Sequence, residues 1–175
     1  MNQRQIETER LILRRFENND AKQVQLLAGD RKVSSATANI PYPYPNGLAE
    51  KWIANHAQNF VDKSTVTYAV SLKSSGELIG CVSMMNLSSE QPELGYWLGA
   101  DYWGNGYCTE ACIALIEFCI EFFSLAAIYG KHLSRNPASG EVMKKCGLSY
   151  ISTGIGKDGF MEEPEEFKVY QKVCA

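Results

Sequence analysis

The stretch YWLGADYWGNGYCTEACIALIEFCIEF, Tyr96 to Phe122, runs from a strand-like segment through an aromatic loop into a strongly periodic helix. Two glycines, Gly104 and Gly106, stand at the mouth of that helix. A helix start leaves several backbone N–H groups without partners, at the positive end of the macrodipole. An anion satisfies both if the backbone can come close, and glycine gives that access and tolerates unusual dihedrals. Gly104, Asn105, Gly106, Tyr107 and Cys108 therefore read as a phosphate cradle leading into Thr109, whose hydroxyl could cap the helix or meet the phosphate. A loop whose glycines only permit a tight turn is the competing reading.

Two nucleotide-binding patterns do not apply. The P-loop needs a glycine-lysine-serine/threonine end, and the dinucleotide fingerprint needs a third glycine where Thr109 stands. On the helix, Cys112, Ile113, Ile116, Cys119, Ile120 and Phe123 form an apolar stripe, opposite Glu110, Ala114, Glu117 and Glu121. Glu110 suits the dipole but not an incoming anion.

Upstream, Leu11–Phe16 reads as a strand, and Asn19 or Asp20 caps a helix through Leu27 that Gly29 ends. Ser34–Gly47 alternates prolines with tyrosines and is expected to be an extended loop, either a connector or a substrate-side wall with Tyr42 and Tyr44 exposed. Leu48–Lys63 is expected to be one helix, with Trp52 on its apolar side and His56 as a structural histidine. Three strands follow, Thr65–Lys73, Leu78–Leu87 and Glu93–Gly99, the first two joined by a short glycine turn. After the helix Thr109–Phe123 come a strand (Ala126–Ser134), a short helix (Pro137–Cys146) stopped by Gly147, and two more strand-like segments. This order predicts an α+β fold: a mixed, mostly antiparallel central sheet of about six to seven strands, with helices on both faces.

The 175 residues suit one domain with a sizeable core. A hydrophobic content of 45% and a charged content of 21% are those of a globular chain. The formal charge of −3 argues against broad capture of nucleic acid and is compatible with a cationic partner. The six cysteines show no second pair at metal-ligand spacing, so buried free thiols in a reducing cytoplasm are expected, and no metal. MNQRQIETERLILRRF has no apolar signal core, and no run approaches the ~20 apolar residues of a membrane helix. A cytoplasmic protein with no membrane partner is expected.

ELGYWLGADYWGNGYCTEA, followed about thirty residues later by NPASGEVMKKCGL, resembles the GNAT superfamily of acetyl-coenzyme A-dependent N-acetyltransferases. More narrowly it is similar to the branch containing bacterial ribosomal-protein N-terminal acetyltransferases, which ETERLILRRF and GELIGCVSM also match. The resemblance covers nearly the whole chain and implies a single GNAT-like acetyltransferase domain over residues 1–175. It implies that the amides from Trp103 through Gly104, Asn105, Gly106, Tyr107 and Cys108 to Thr109 hold the pyrophosphate of acetyl-coenzyme A. Trp103 stands where most members have Gln or Arg, and Cys108 is bulkier than the usual small residue. Asn136 matches the asparagine that touches the pantetheine arm or the sulfur region. Ser139 matches the serine proposed as the acid that protonates the departing thiolate. Many members use a tyrosine four residues before the glycine, a place held here by Met143. Leu98, Gly99 and Tyr96 would offer backbone groups beside the acetyl group at a splayed point between strands, with Trp97 a further cofactor contact, and an amide N–H there could stabilise a developing oxyanion.

The resemblance makes Glu93 the expected base. A primary amine is mostly protonated at neutral pH, and a nearby carboxylate can take its proton directly or through water. By strand alternation Glu93 shares a face with Gly95 and Trp97; a solvent-facing strand-end glutamate is the alternative. Tyr42, Tyr44 and Trp52 could line the acceptor side, and the run Glu162, Glu163, Glu165, Glu166 could steer a cationic amine. The acceptor expected first is a peptide or protein N-terminal amine; a small-molecule amine such as a polyamine or antibiotic is the alternative. A non-catalytic coenzyme A-binding sensor module is a reading from another class, disfavoured because Glu93 and Ser139 are both present. The apolar C-terminal strands could pair in a homodimer.

Overall fold

Leu11–Arg14 alternates buried with half-buried residues, Val66–Leu72 and Leu78–Met85 are buried along nearly their whole length, and Ser149–Gly156 is largely exposed. In the computed structural model, which describes residues 3–174, the elements run as follows. Strands β1 (Ile6–Glu7) and β2 (Leu11–Arg14) precede helices α1 (Ala21–Ala28), α2 (Arg31–Ser35), α3 (Leu48–Ala54) and α4 (His56–Val61). Strands β3 (Val66–Leu72), β4 (Leu78–Met85) and β5 (Glu93–Leu98) lead to α5 (Tyr107–Phe123), β6 (Ala127–Leu133) and α6 (Pro137–Lys145). The chain closes on β7 (Ser149–Gly156) and β8 (Glu165–Val173).

The eight strands form one sheet in the order β1-β2-β3-β4-β5-β6-β8-β7. All neighbours are antiparallel except β5 and β6, which are parallel and pair only at Glu93–Tyr129 and Leu94–Gly130. β6 enters beside β5 after the α5 crossover and then diverges from it. This opening places the functional site.

Helices α5 and α6 cover one face, closing a core that includes Leu13, Tyr68, Val82, Leu94, Leu115, Phe118 and Met143. α1 and α3 cover the other face of the N-terminal half, over Ala69 and Leu78, with Phe16, Trp52 and Trp97 packed alongside. The buried side of α5 is Ala111, Cys112, Leu115, Ile116, Phe118 and Cys119, while Ile113 is 38% exposed. The stripe drawn from sequence is thus rotated, because Phe118 turns inward against Tyr68, with ring centroids 5.9 Å apart.

Three local features differ from the sequence expectation. A two-residue edge strand, β1, brings the strand count to eight. Ser34 and Ser35 close a short helix capped by Asp30, whose carboxylate accepts from the Lys32 N–H at 2.8 Å. The helix expected over Leu48–Lys63 breaks at Asn55, where the backbone tightens to a bond from Asn55 N–H to Trp52 O (3.3 Å). The tightened turn sets His56 against Trp52 and Phe16, at centroid distances of 4.3 and 5.3 Å. Burial pushes the His56 pKa down to about 4, so it is a neutral member of an aromatic cluster. Among the described residues all the cysteines are free thiols.

Gly80 on β4 holds β5 in place. A Cβ there would collide with the Trp97 carbonyl and stand 2.8 Å from Leu98 Cα. Gly80→Ala is expected to destabilise the protein by about 1–3 kcal/mol through overpacking, measured by thermal denaturation. Because the displaced backbone is Trp97–Leu98, coenzyme A affinity should fall with it; an unchanged melting curve would contradict this packing.

Candidate active site

Gly106 is the N-cap of α5 at φ +79°, and Gly104 lies at φ +76°, both in the left-handed region that glycine enters without a Cβ penalty. No side chain caps the helix, and its first internal bond runs from Glu110 N–H to Gly106 O (3.1 Å). The N–H groups of Tyr107, Cys108 and Thr109 therefore have no partner within the helix. Glu110 does not oppose an anion, because it is turned back onto the N-terminal strands. It accepts from the Thr8 hydroxyl (2.6 Å), the Arg10 N–H (2.8 Å) and Arg10 Nε (2.7 Å). Although burial works the other way, these donors hold its carboxyl below the usual range.

Arg10 escaped the sequence analysis. Its guanidinium lies over the Tyr107 ring, 4.6 Å from the centroid, and donates to Asn105 O at 2.9 Å. One arginine thus offsets the Glu110 charge, fixes the loop and sets an N–H donor, Nη2, beside Gly106. Nothing short of the fold signals this, since Arg10 and Asn105 are far apart in the chain.

The loop opens into a cleft of about 800 Å³ that follows the gap between β5 and β6. Gly99, expected to offer a backbone group beside the acetyl site, instead donates its N–H to Ile79 O (2.9 Å), which sets the phase of the β4–β5 ladder. In that phase the backbone groups of Tyr96 and Leu98 point away from β4, toward a β6 that has already diverged. Leu98 O is taken by Trp103 Nε1 at 2.9 Å. The N–H groups of Tyr96 and Leu98 are left turned into the cleft.

Glu93, Tyr96, Trp97, Leu98, Trp103, Gly104, Gly106, Tyr107, Cys108, Thr109, Asn136 and Ser139 all line this cleft. Asn105 lies just outside it, anchoring the loop through Arg10 and through its own amide to Tyr102 O and Trp103 O. Ser139, in the first turn of α6, meets Tyr96: the phenolic oxygen is 2.7 Å from Ser139 O and 2.8 Å from Ser139 Oγ. Asn136 caps α6 and gives its amide to Ala36 O at 3.1 Å.

Glu93 stands at the other side of the opening, 3.8 Å from Lys131 Nζ, which is itself 2.6 Å from Asp158. Burial raises the Glu93 pKa; Lys131 counters this and Asp158 adds to it. Lys131 and Asp158 were not singled out from sequence. The β7–β8 loop carrying Asp158 reaches across the cleft, where Phe160 N–H donates to Ala38 O at 2.7 Å. Arg135 donates to Ser35 O, so three donors hold the segment after α2 as a roof over this end.

The structure places Tyr42, Tyr44 and Trp52 outside the cleft wall. Tyr42 is exposed beneath Arg31, whose guanidinium is 5.6 Å from its ring. Tyr44 and Trp52 pack against the α1–α3 core. Among the described residues no group of three or more His, Cys, Asp or Glu side chains could hold a metal, and no helix is long and apolar enough to cross a membrane.

Residues 10–149 match the family model described as the acetyltransferase (GNAT) domain. The chain belongs to the GNAT acetyltransferases. Members of this family use acetyl-coenzyme A, and the uncapped α5 terminus with Arg10 beside it fits the diphosphate of that co-substrate. Among curated relatives, the uncharacterized protein YkkB of Bacillus subtilis (strain 168) is 30% identical over 158 residues, covering 83% of this chain and 86% of its own. A shorter match, 30% over 69 residues, is to the FsC-acetyl coenzyme A-N(2)-transacetylase of Aspergillus fumigatus. It covers 39% of this chain and only 29% of the fungal protein. Among solved structures, a putative ribosomal-protein-serine acetyltransferase from Vibrio cholerae superposes with a TM-score of 0.82 at 25% identity, over 97% of both chains.

Proposed function

We propose that this GNAT enzyme moves the acetyl group to a primary amine by direct attack, with Glu93 as base and Ser139 as acid, and that a peptide or protein N-terminus is the favoured acceptor. The observation that carries the reading is that Glu93 and Ser139 line one cleft, Glu93 where β5 and β6 still pair and Ser139 on α6 against Tyr96. Burial gives Glu93 a proton affinity above that of a free carboxylate, which suits proton capture from an ammonium. The N–H groups of Tyr96 and Leu98 serve as donors to the carbonyl oxygen as charge develops on it. The amides of Tyr107 to Thr109, with Gly104 and Gly106 giving access, hold the diphosphate. Asn136 and Trp97 flank the arm that leads from it to the reacting carbon. Likeness to the putative ribosomal-protein-serine acetyltransferase from Vibrio cholerae supports a peptide acceptor.

A small amine such as a polyamine or antibiotic is the second reading, favoured by the roof that Phe160 and Arg135 hold over the acceptor end. Tyr42, Tyr44 and Trp52 retain a role in this proposal only as outer contacts for a longer acceptor. The edge strand β7 exposes Tyr150, Ile151 and Ile155, which supports pairing with a second copy. An acceptor panel separates the readings. Free-N-terminal peptides are expected to be turned over with a higher kcat/KM than spermidine, an aminoglycoside or an N-blocked lysine peptide. A polyamine or antibiotic in first place would move the assignment to the second reading. Binding of acetyl-coenzyme A without turnover of any amine would leave a non-catalytic module.

A further inference from the structure

The contact between Tyr96 and Ser139 has two proton arrangements. The Tyr96 oxygen is 2.7 Å from the Ser139 carbonyl oxygen and 2.8 Å from Ser139 Oγ, and the phenol has one proton to give. In the first arrangement Tyr96 donates to the carbonyl and Ser139 donates to Tyr96, so both protons are locked within the pair. In the second, Tyr96 donates to Ser139 Oγ and the serine proton is free to point into the cleft. The switch needs only rotation of two O–H bonds, with no movement of heavy atoms.

We infer that Tyr96 is the positioning residue for the acid step: its hydroxyl aims Ser139 at the departing sulfur and refills Ser139 with a proton. The inference rests on the reading of Ser139 as the acid. A serine that gives up its proton unaided is left as an alkoxide, a far stronger base than the thiolate it serves, so the transfer runs uphill. A phenol, with an ordinary pKa of about 10, lies much closer to a thiol at about 8.5. In the step, the amine nitrogen forms its bond to the acetyl carbon and the C–S bond breaks, with its electron pair going to sulfur. Ser139 gives its proton to that sulfur, and Tyr96 gives its proton to Ser139 Oγ. Tyr96 then recovers a proton from water, while Glu93, having passed the ammonium proton to water before attack, takes the second nitrogen proton as the amide forms and releases it to water likewise. Burial raises the phenol's pKa, which keeps the proton in place until the step but works against a free phenolate, so both proton transfers run in concert with C–S cleavage along the Tyr96–Ser139 contact.

The position is determined by the fold. Tyr96 follows the last β5–β6 pair by two residues and shares the sheet face of Leu94, so its side chain points toward α6 while its backbone faces the gap. Met143, where many family members have the tyrosine acid, is fully buried on the inner face of α6. The hydroxyl absent there is supplied from the strand instead.

The test compares acetyl-coenzyme A with its selenoester, which differs by one atom and whose selenol is acidic enough to leave unassisted. With acetyl-coenzyme A, Tyr96→Phe and Ser139→Ala are each expected to lose at least about tenfold in kcat, within the range for acid–base groups. With the selenoester both losses should largely vanish, and the wild-type solvent isotope effect should shrink in Tyr96→Phe. An equal loss with both donors, or no loss, in Tyr96→Phe would overturn the inference and make the contact structural. If Ser139→Ala itself shows no donor-dependent loss, the Ser139 reading fails and takes this one with it. If Ser139→Ala shows it and Tyr96→Phe does not, Tyr96 alone is excluded. Should Tyr96→Phe fold poorly, 3-fluorotyrosine at position 96 keeps the ring and makes the phenol more acidic. It should then change turnover of the thioester and not of the selenoester; no difference between the two donors counts against Tyr96.

Discussion

Titration of acetyl-coenzyme A into the wild-type protein is expected to give heat, and titration into Gly106→Glu to give none. At φ +79° any side chain at position 106 is strained, and a Cβ there stands 3.4 Å from Arg10 Nη2. A glutamate adds negative charge at the mouth of α5, beside the three N–H groups that are to meet a diphosphate, and competes for Arg10. The expected loss is about 100-fold or more in Kd, equivalent to about 2.8 kcal/mol. Gly106→Ala separates the causes, since it brings the backbone strain without the charge and should lose less. Arg10→Met should weaken binding less than Gly106→Glu and make it less sensitive to salt, because one cation is removed while the amides remain. Equal heats for wild type and Gly106→Glu, with both proteins folded, would sink the loop as the diphosphate site.

The glycine loop was legible because its determinants are local: residue type, spacing and the change from a period of two to a period of 3.6 at Tyr107. The strand–turn–strand run from Val66 to Leu98 was legible for the same reason. What the sequence did not reveal is held by contacts between distant segments. Arg10 reaches Asn105 and Glu110, Tyr96 reaches Ser139, and Asp158 reaches Lys131. Each pair joins residues whose spacing carries no pattern until the sheet brings them together. Glu93 lies between these cases. Strand alternation gives its face, but its environment depends on Lys131 and Asp158, which arrive from β6 and from the β7–β8 loop. The rotated stripe on α5 makes a related point. Ile113 is as apolar as Ile116, and only the packing of Tyr68 and Phe118 decides which of them faces the core.

Glu93→Gln is expected to lower kcat by about 100- to 1,000-fold below neutral pH, within the range for a general base. The defect should narrow as pH rises, for a reason that distinguishes a base from a structural residue. In the wild type the competent complex pairs the Glu93 carboxylate with an ammonium that it deprotonates. The rate therefore rises through the Glu93 pKa, which burial places above the ordinary carboxylate value. The variant must wait for neutral acceptor, so with an α-amine its rate should rise only through about 8. The neighbours of Glu93 move the wild-type limb in opposite senses. Lys131 favours the carboxylate, so Lys131→Met should shift the limb to higher pH. Asp158 disfavours it, so Asp158→Asn should shift the limb lower, the more so because Lys131 is then released toward Glu93. A uniform loss across pH in Glu93→Gln, with neither neighbour moving the limb, would mean that Glu93 shapes the cleft without taking the proton. Opposite shifts in the two neighbour variants, together with a defect that closes above pH 8, would require the proton to pass through this carboxylate.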